Sequence, residues 1–336
     1  MSQPSDEDRF IGRWFAPLAG PGALGLRDDA ALLTPPEGRD LVLTVDTLVA
    51  GVHFYAEDPA DTIARKALRV NLSDLAAKGA DPAGFLLSFA MPADKASPVR
   101  SEGWLASFAG ALGEDAKSFS CPLLGGDTVT TPGPLTLSVT AFGSLPRGTM
   151  ARRTGAHAGD VIFVSGTIGD AALGVHLAGA SPPSWAAALA QEHRAFLVER
   201  YRVPQPRNAL AAAVRQFAHG AMDVSDGLAG DLAKMMRVSG VSARVEIARV
   251  PRSDAASAVA AADAGALNAI LTGGDDYEIL CTVARERAIE FSAAARAAGV
   301  AVTAIGEVAA QQEREAVFVD EAGKTHDFAR GSYSHF

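Results

Sequence analysis

Aspartate recurs along this 336-residue chain beside glycine, serine or threonine, near the ends of apolar runs. The residues of this kind are Asp28, Asp29, Asp46, Asp74, Asp127, Asp223, Asp226, Asp275 and Asp276. Carboxylates grouped around small residues suit hard cations such as Mg²⁺, which take oxygen ligands and keep several waters. Because no glycine-rich loop with a phosphate-binding lysine accompanies them, metal ions would have to neutralise the phosphates. The pattern therefore predicts Mg²⁺-dependent phosphoryl transfer.

The first motifs also have simpler structural explanations. Asp28 and Asp29 suit a helix N-cap or a turn as well as a metal. Asp46, in LTVDTLVAGVHF, ends a predicted strand with Thr44 on the same face, although strand-end aspartates also start turns. His53, in a strand-like context, is interpreted either as a core histidine or as a substrate contact.

Two motifs follow in the same half of the chain. Asp74, in NLSDLAAKGADP, shares a polar stripe with Asn71 and Lys78 at helical spacing. Because the rest of that helix is apolar, we favour a functional stripe over a solvated one. In GGDT (125–128), two glycines let the backbone approach a ligand and give Asp127 room for a cation, although Gly-Asp is also a frequent hairpin turn.

The second half of the chain contains two more motifs with carboxylates beside small residues. DVSDGLAGDL (223–232) places Asp223 and Asp226 three residues apart, with Ser225 between them, at a predicted strand-to-helix junction. Backbone amides at a helix N-terminus suit phosphate, so this junction is a candidate phosphate site. Asp226 would equally suit an N-cap. TGGDDYEIL (272–280) again puts two glycines before a carboxylate pair. Six such motifs are improbable as six independent turns.

Charge, cysteine content and the lengths of the apolar runs argue against several classes of protein. The formal charge of −9 argues against a nucleic-acid partner, which normally requires a basic patch. Cys121 and Cys281 lie in apolar settings, which favours buried inert thiols over a metal or redox pair. No secretory signal is visible, and no apolar run approaches the ~18 residues of a membrane span, so we expect a cytoplasmic protein.

Strands and helices alternate along the chain, which predicts an α/β or α+β fold. A Gly- and Arg-rich break at 146–159 divides the chain into two mixed α/β domains, residues 1–147 and 148–336. The predicted strands are 41–45, 49–54, 85–91, 135–145, 161–165, 221–224, 243–250, 278–284, 300–305 and 315–319. The predicted helices are a short one before residue 27 and then 61–78, 98–116, 171–177, 207–218, 228–238, 253–264 and 285–298.

These segments together resemble the thiamine-monophosphate kinase family, which belongs to a superfamily with aminoimidazole ribonucleotide synthetase and selenophosphate synthetase. The resemblance is carried, in family order and over nearly the whole chain, by DDAALL, TVDTLVAGVHF, NLSDLAAKGADP, GGDT, RRTGAHAGD, DVSDGL, GGDDYEIL and SYSHF. It implies ATP-dependent phosphorylation of thiamine monophosphate to thiamine diphosphate by direct transfer, without a phospho-enzyme. It also implies a homodimer in which two N-terminal domains complete a β-barrel, with a C-terminal domain that closes the active-site cleft.

The resemblance also implies the roles of individual residues. The Mg²⁺ ligands would be Asp29, Thr44, Asp46, Asp74, Asp127, Asp223 and Asp226. The ATP contacts would be Gly126, Asp127, Arg153 and Ser225. The contacts to thiamine monophosphate would be His53, Asp275 and Tyr333.

Two positions differ from the family pattern. Arg27 precedes the first aspartate pair where the family usually has glycine, and a positive φ there would be costly. Asp275 replaces the family's glutamate and is one methylene shorter. The main alternative function is another ATP-dependent reaction of the superfamily, either an amidine-forming ligase or a phosphotransferase acting on a different small phosphate. A further alternative is a Mg²⁺- or nucleotide-binding regulator without turnover.

Overall fold

The computed structural model describes residues 5–263, 265–328 and 331–332, which form two compact units. The N-terminal unit contains the described residues up to Leu75 and then Asp81–Gly148, and the C-terminal unit contains Ala76–Ala80 and the described residues from Thr149 onward. Each unit is built around one β-sheet with helices, so the predicted mixed α/β class is confirmed. Among the helices of the described residues, none is long and apolar enough to cross a lipid bilayer.

The N-terminal unit has a four-stranded sheet. Its strands are β1 (Arg39–Val49), β2 (Asp81–Pro92), β3 (Leu123–Thr131) and β4 (Thr136–Pro146). Its helices are α1 (Asp6–Trp14), α2 (Ala60–Ala77) and α3 (Glu102–Ser118). The strand order is β1-β4-β2-β3, with β2 and β3 parallel and the other pairs antiparallel, so β1 and β3 are the two edges.

Helices α1 and α3 pack against one face of this sheet. Phe89 of β2 contacts Phe108 of α3 and Phe10 of α1, with ring centroids 5.4 and 6.3 Å apart. On β1, by contrast, Leu41, Leu43 and Val45 alternate with the helix-facing residues and remain 37, 60 and 59% exposed. We call the two sides the helix face and the outer face.

One predicted strand of this unit is wrong, and one alternative that the sequence left open is excluded. The strand predicted at 49–54 does not form, because Val52 and His53 both donate their backbone N–H to the Val49 carbonyl and close a turn. Consequently β1 continues through Asp46 to Val49, and Asp46 lies inside the strand instead of at its end. The hairpin alternative for GGDT is excluded, because these residues are part of β3.

The C-terminal unit has a seven-stranded mixed sheet in the order β11-β10-β7-β9-β5-β8-β6. Its strands are β5 (Val161–Ser165), β6 (Ala218–Val224), β7 (Val241–Glu246), β8 (Glu278–Val283), β9 (Val302–Ala310), β10 (Ala316–Val319) and β11 (Thr325–His326). Its helices are α4 (Asp170–Ala178), α5 (Gln191–Arg202), α6 (Ala211–Phe217), α7 (Leu228–Ser239), α8 (Asp254–Ala262), α9 (Ala266–Thr272) and α10 (Ala288–Ala297).

Alternating residues of this sheet belong to two separate hydrophobic cores. Met222 and Leu280 pack in one core with residues of α4, α7, α8 and α9, whereas Ala221 and Cys281 pack in the other with residues of α6 and α10. Because successive side chains of a strand point to opposite faces, the sheet is covered on both sides. This explains why β8 is buried along its whole length.

Both cysteines are buried, as the sequence predicts. Cys121 and Cys281 are free thiols with 0 and 1% of their surface exposed. Burial raises the pKa of each thiol to about 12. Because the reactive form is the thiolate, neither cysteine is a nucleophile at neutral pH.

Candidate active site

Three of the predicted ligands lie together on the helix face of the N-terminal sheet. Thr44 Oγ1 donates a hydrogen bond to Asp74 Oδ2 at 2.5 Å, and the Asp46 backbone N–H donates to Asn71 Oδ1 at 3.1 Å. Asn71 and Asp74 of the predicted polar stripe therefore face β1, whereas Lys78 lies beyond the end of α2 and donates to the Ala221 carbonyl. Asn71 is fully buried and its amide nitrogen also donates to the Ala67 carbonyl, so it holds α2 against the strand. We call Thr44, Asp46 and Asp74 the helix-face set.

Asp127 lies on the other side of the same sheet. It pairs in register with Ser88 of β2, which pairs with Ser138 of β4, which in turn pairs with Thr47 of β1. Residues in register point to one face, and Thr47 follows Asp46, so Asp127 points to the outer face. The two edge strands are also three strand spacings apart, or about 14 Å. Within one chain, Asp46 and Asp127 therefore cannot share one metal ion.

A cavity on the outer face brings together the other predicted residues of this unit. Its volume is about 810 Å³, and its lining includes Asp28, Asp29, Gly126 and Asp127. The position of Gly126 requires glycine, because a Cβ atom there would lie 1.9 Å from the Leu87 carbonyl oxygen. Asp29 and Asp127 are both exposed to solvent in this cavity. We call Asp29, Gly126 and Asp127 the outer-face set.

The segment before Asp28 avoids the strain expected from Arg27. Arg27 has φ −117°, an ordinary value for any residue. The left-handed conformation falls one position earlier, at Leu26, with φ 55°. The expected cost at Arg27 is therefore absent, and Leu26 adopts the conformation that favours glycine.

His53 lies in the turn after β1 and is half-buried, so it is not a core histidine. Its Nδ1 accepts a hydrogen bond from the Val49 backbone N–H at 3.0 Å. A neutral ring with this bond carries its proton on Nε2, which fixes the tautomer. The Lys66 ammonium donates to the His53 carbonyl at 2.9 Å and holds the turn in place.

In the C-terminal unit, two predicted motifs meet as adjacent loops. The Asp275 and Tyr277 backbone N–H groups donate to the Ser225 and Val224 carbonyls at 2.9 and 2.8 Å. Glycine is needed for this approach, because a Cβ on Gly274 would lie 2.4 Å from the Ser225 oxygen. The structure thus places Asp223, at the end of β6, and Ser225 beside the GGDD loop.

The neighbours Asp275 and Asp276 have different surroundings. Asp276 is fully buried, and its carboxylate accepts the backbone N–H groups of Gly169 and Ala171 at the start of α4. Burial raises its pKa well above the usual value, against the opposing effect of these hydrogen bonds. Asp276 is therefore a structural cap. Asp275 is only half-buried, has φ 73°, and accepts a hydrogen bond from the Tyr277 hydroxyl at 3.3 Å.

The sequence analysis missed two residues that organise the DVSDGL loop. Asp231 accepts the backbone N–H groups of Ser225 and Asp226 at 3.0 and 2.9 Å. Lys234 donates to Asp226 at 2.5 Å and to Asp231 at 3.0 Å. Burial lowers the pKa of Lys234, but its hydrogen bond to Asp226 and the charge of Asp231 outweigh that effect and raise it. Burial raises the pKa of Asp231.

Lys234 changes one premise of the sequence analysis. A lysine does accompany the carboxylates, although it comes from α7 and not from a phosphate loop. Its spacing from Asp231, three residues within the DLAK segment, was the available signal, because such a spacing places both side chains on one helix face.

Arg153, a predicted ATP contact, lies away from these loops. The Arg153 carbonyl accepts a hydrogen bond from Ser239 Oγ, at the last residue of α7. Ser225 precedes the other end of this 12-residue helix, about 18 Å away at ~1.5 Å per residue. Tyr333 lies outside the described residues.

These sets offer mainly carboxylate and hydroxyl oxygens, which is the ligand chemistry of Mg²⁺ and not of softer metals. In the helix-face set, Asp74 accepts the Thr44 hydroxyl, and Asp46 lies on the same face of β1 as Thr44. In the C-terminal unit, the loop before α7 offers the carboxylates of Asp223 and Asp226 and the Ser225 hydroxyl, whereas its Ser225 and Asp226 amides already donate to Asp231. In each unit, taken by itself, the oxygen ligands suit hard cations.

Comparisons with known proteins agree with this chemistry. Residues 27–145 match the family described as AIR synthase related protein, N-terminal domain, and residues 157–319 match the corresponding C-terminal domain. The fold and the site thus define a protein of the AIR synthase related class. The chain is 45% identical over 309 residues to the thiamine-monophosphate kinase of Caulobacter vibrioides, covering 90% of this chain and 84% of that protein.

Two solved structures extend the comparison. The thiamine-monophosphate kinase of Stenotrophomonas maltophilia superposes with a TM-score of 0.79 at 37% identity, covering 95% of this chain and 96% of that one. A structure described as AaThiL complexed with AMPPCP and TMP gives 0.74 at 26% identity, covering 92 and 91%. The chain belongs to the thiamine-monophosphate kinase family, which confirms the resemblance seen in the sequence.

Proposed function

We propose that this chain transfers the γ-phosphate of ATP directly to the phosphate of thiamine monophosphate with the help of Mg²⁺. The kinase activity follows from family membership: relatives with this activity reach 45% identity, and a related structure holds an ATP analogue together with thiamine monophosphate. The enzyme therefore forms thiamine diphosphate in thiamine biosynthesis. Direct transfer without a phospho-enzyme and the requirement for Mg²⁺ are proposals that go beyond family membership.

The observations that carry the proposal are the hydrogen bond from Thr44 to Asp74 and the position of Asp46 two residues after Thr44, on the same face of β1. We assign the metal ligands to the helix-face set, to Asp29 and Asp127 of the outer-face set, and to Asp223 and Asp226 at the start of α7. When bound, Mg²⁺ would neutralise charge on the phosphates that approach each other. Carboxylates held by neighbouring donors keep a fixed geometry, which is the contribution of the protein to such a site.

The remaining assignments concern substrate binding. Gly126 would let the β3 backbone approach ATP, and Ser225 would contact it from the loop before α7, with Arg153 as a further contact. His53 and Asp275 would bind thiamine monophosphate, together with Tyr333. Because the attacking phosphate is already anionic, the reaction needs no general base, and orientation of the two substrates dominates.

We further propose that the functional unit is a homodimer. The outer face of β1 exposes Leu41, Leu43 and Val45 in a continuous apolar row at a sheet edge, which is typical of a surface covered by another chain. A second copy of this sheet would complete the barrel expected from the family.

The decisive experiment is an assay of thiamine diphosphate formed from ATP and thiamine monophosphate, with Mg²⁺ or with excess EDTA. We expect one ADP per thiamine diphosphate, no product in EDTA, and no product when unphosphorylated thiamine replaces thiamine monophosphate. ATP hydrolysis without thiamine diphosphate would contradict the assigned activity. Full activity in EDTA would contradict the role of the metal.

A further inference from the structure

A second cluster of ligating groups lies in the C-terminal unit, away from the loops described above. His157 Nδ1 and His219 Nδ1 are 3.2 Å apart, and His219 Nδ1 is 3.0 Å from Asp160 Oδ1. One ligand atom from each residue can be chosen so that all three lie within 4.8 Å of one another. We call these three residues the His–Asp–His cluster. None of them has a role in the proposed phosphoryl transfer.

The spacing of the cluster is that of ligands around a small ion. Zinc binds imidazole nitrogen and carboxylate oxygen at about 2.0–2.2 Å, so neighbouring ligands of a tetrahedral site are separated by about 3.3 Å. The two closest pairs in the cluster, at 3.2 and 3.0 Å, are slightly shorter than this. Two ring nitrogens at this distance need a proton or a cation between them.

The backbone holds the three residues in place without a metal. The Asp160 N–H donates to the His157 carbonyl at 3.1 Å, and the Asp160 carbonyl accepts from Val308 of β9 at 2.9 Å. Asp160 Oδ2 accepts the His157 backbone N–H at 2.9 Å, and both carboxylate oxygens lie near His219 Nδ1, Oδ1 at 3.0 Å and Oδ2 at 3.1 Å. His219 lies within β6, which fixes its position from the other side.

The carboxylate of the cluster is buried and the two histidines are exposed, which is the pattern of a metal site with an open ligand position. The Asp160 side chain is 5% exposed, whereas that of His219 is 39% exposed and His157 is exposed as well. The carboxylate is therefore fixed in the protein, and the two rings reach solvent, from which an ion and a water ligand can enter. Two imidazoles with one carboxylate suit Zn²⁺ and similar transition-metal ions, whereas Mg²⁺ prefers oxygen ligands throughout.

We propose that His157, Asp160 and His219 form a binding site for a divalent transition-metal ion of the zinc class, with water as the fourth ligand. The site is separate from the Mg²⁺ ligands proposed for catalysis. It joins the RTGAHAGD segment to β6, so an occupied site would stabilise that segment against unfolding.

The test uses the untagged full-length protein and titration calorimetry with Zn²⁺ alone, in buffer containing millimolar Mg²⁺ to occupy oxygen-ligand sites. We expect one Zn²⁺ per chain in the wild type. Loss of one ligand in His157→Ala or His219→Ala should weaken binding by at least about tenfold. His176→Ala removes another exposed histidine, on α4, and should leave binding unchanged. Co²⁺ in place of Zn²⁺ should give the visible absorption of a tetrahedral nitrogen–oxygen site.

Two results would overturn the proposal. One is wild-type protein that binds no Zn²⁺ under these conditions. The other is a His157→Ala/His219→Ala double variant that binds Zn²⁺ as tightly as the wild type, which would place the ion on the carboxylates of the other sites. Both histidines are exposed, so the variants should fold, and circular dichroism verifies this. Zn²⁺ should also raise the Tm of the wild type but not that of the double variant.

Discussion

The neighbouring residues Asp275 and Asp276 differ in burial and in hydrogen bonding, and therefore in the role that each carboxylate can have. The Asp276 side chain is buried and accepts hydrogen bonds from two backbone amides at the start of α4. The Asp275 side chain remains at the loop surface, in a left-handed backbone conformation that asparagine and aspartate tolerate better than most residues. The pair in the sequence is therefore one structural residue and one candidate binding residue.

Replacement of Asp275 should consequently affect one substrate. Asp275→Asn keeps the shape and tolerates φ 73°, so it removes the charge without disturbing the loop. We expect the KM for thiamine monophosphate to rise more than the KM for ATP, with little change in kcat, because a contact made equally in ground and transition states is lost. His53→Ala should give the same pattern. A larger rise in the KM for ATP would assign these residues to the nucleotide instead.

Asp46 is the residue whose charge should matter most for turnover. It lies inside β1, two residues after the Thr44 that bonds to Asp74, and an asparagine there keeps the size of the side chain. Loss of a metal ligand should lower kcat on the order of 10³-fold or more at saturating Mg²⁺. Asp40→Asn, on the same strand but in an exposed ion pair with Arg147, is the matched control and should remain active. Near-normal turnover by Asp46→Asn would contradict its assignment.

At the scale of secondary-structure elements, the start of α7 depends on a residue of its own first turn. Asp231 is buried and accepts two amides of the preceding loop, while Lys234 links it to Asp226. The loop that carries Asp223, Ser225 and Asp226 is thus fixed from within the helix that follows it. No ligand is needed to form it.

Asp231→Ala should therefore loosen this loop. Two half-buried amides would lose their acceptor, at a cost of about 1 kcal/mol or somewhat more in the free energy of unfolding. Hydrogen exchange should become faster at the Ser225 and Asp226 amides, and urea unfolding should begin at lower concentration. Asp254→Ala, which removes an exposed acidic residue from the first turn of α8, is the control. Unchanged exchange at the two amides would show that another contact holds the loop.

The elements with strong apolar periodicity could be predicted from the sequence, and the others could not. The pattern of Ile63, Leu68 and Leu72 predicted α2 almost to its ends. Helix α5 was missed because its sequence, QEHRAFLVERYR, is mostly polar and buries little beyond Leu197 and Tyr201. Its burial depends on partners that are distant in sequence, and a local pattern does not contain that information.

The candidate site was predictable as a set of residue types but not as an arrangement. The carboxylates were visible in the sequence because each lies beside small residues. The separation of Asp46 from Asp127 was not, since it follows from the order of strands and from their registers. Lys234 escaped notice for a similar reason: only the folded loop brings Asp226 next to it.

For the whole molecule, the exposed apolar row on β1 is the feature with the widest consequence. We expect light scattering to give twice the 34.6 kDa mass of the chain. A charge placed in the row, as in Leu43→Glu, should shift the protein to the monomer and remove activity, because burying an unpaired charge at an interface is costly. Ile289→Glu, at an 84% exposed residue of the C-terminal unit, should leave the mass unchanged. A wild-type protein of 34.6 kDa at micromolar concentration would contradict the dimer.

The separation of Asp46 and Asp127 within one chain allows a genetic test of whether two chains share an active site. If each catalytic site combines one residue from either chain, two different defective alleles can rescue each other. Asp46→Asn and Asp127→Asn chains, each inactive alone, would form mixed dimers in which one of the two sites has both aspartates. Random assortment of equal amounts would restore about one quarter of wild-type activity in a refolded mixture. A mixture as inactive as its components would mean that each chain builds its site alone.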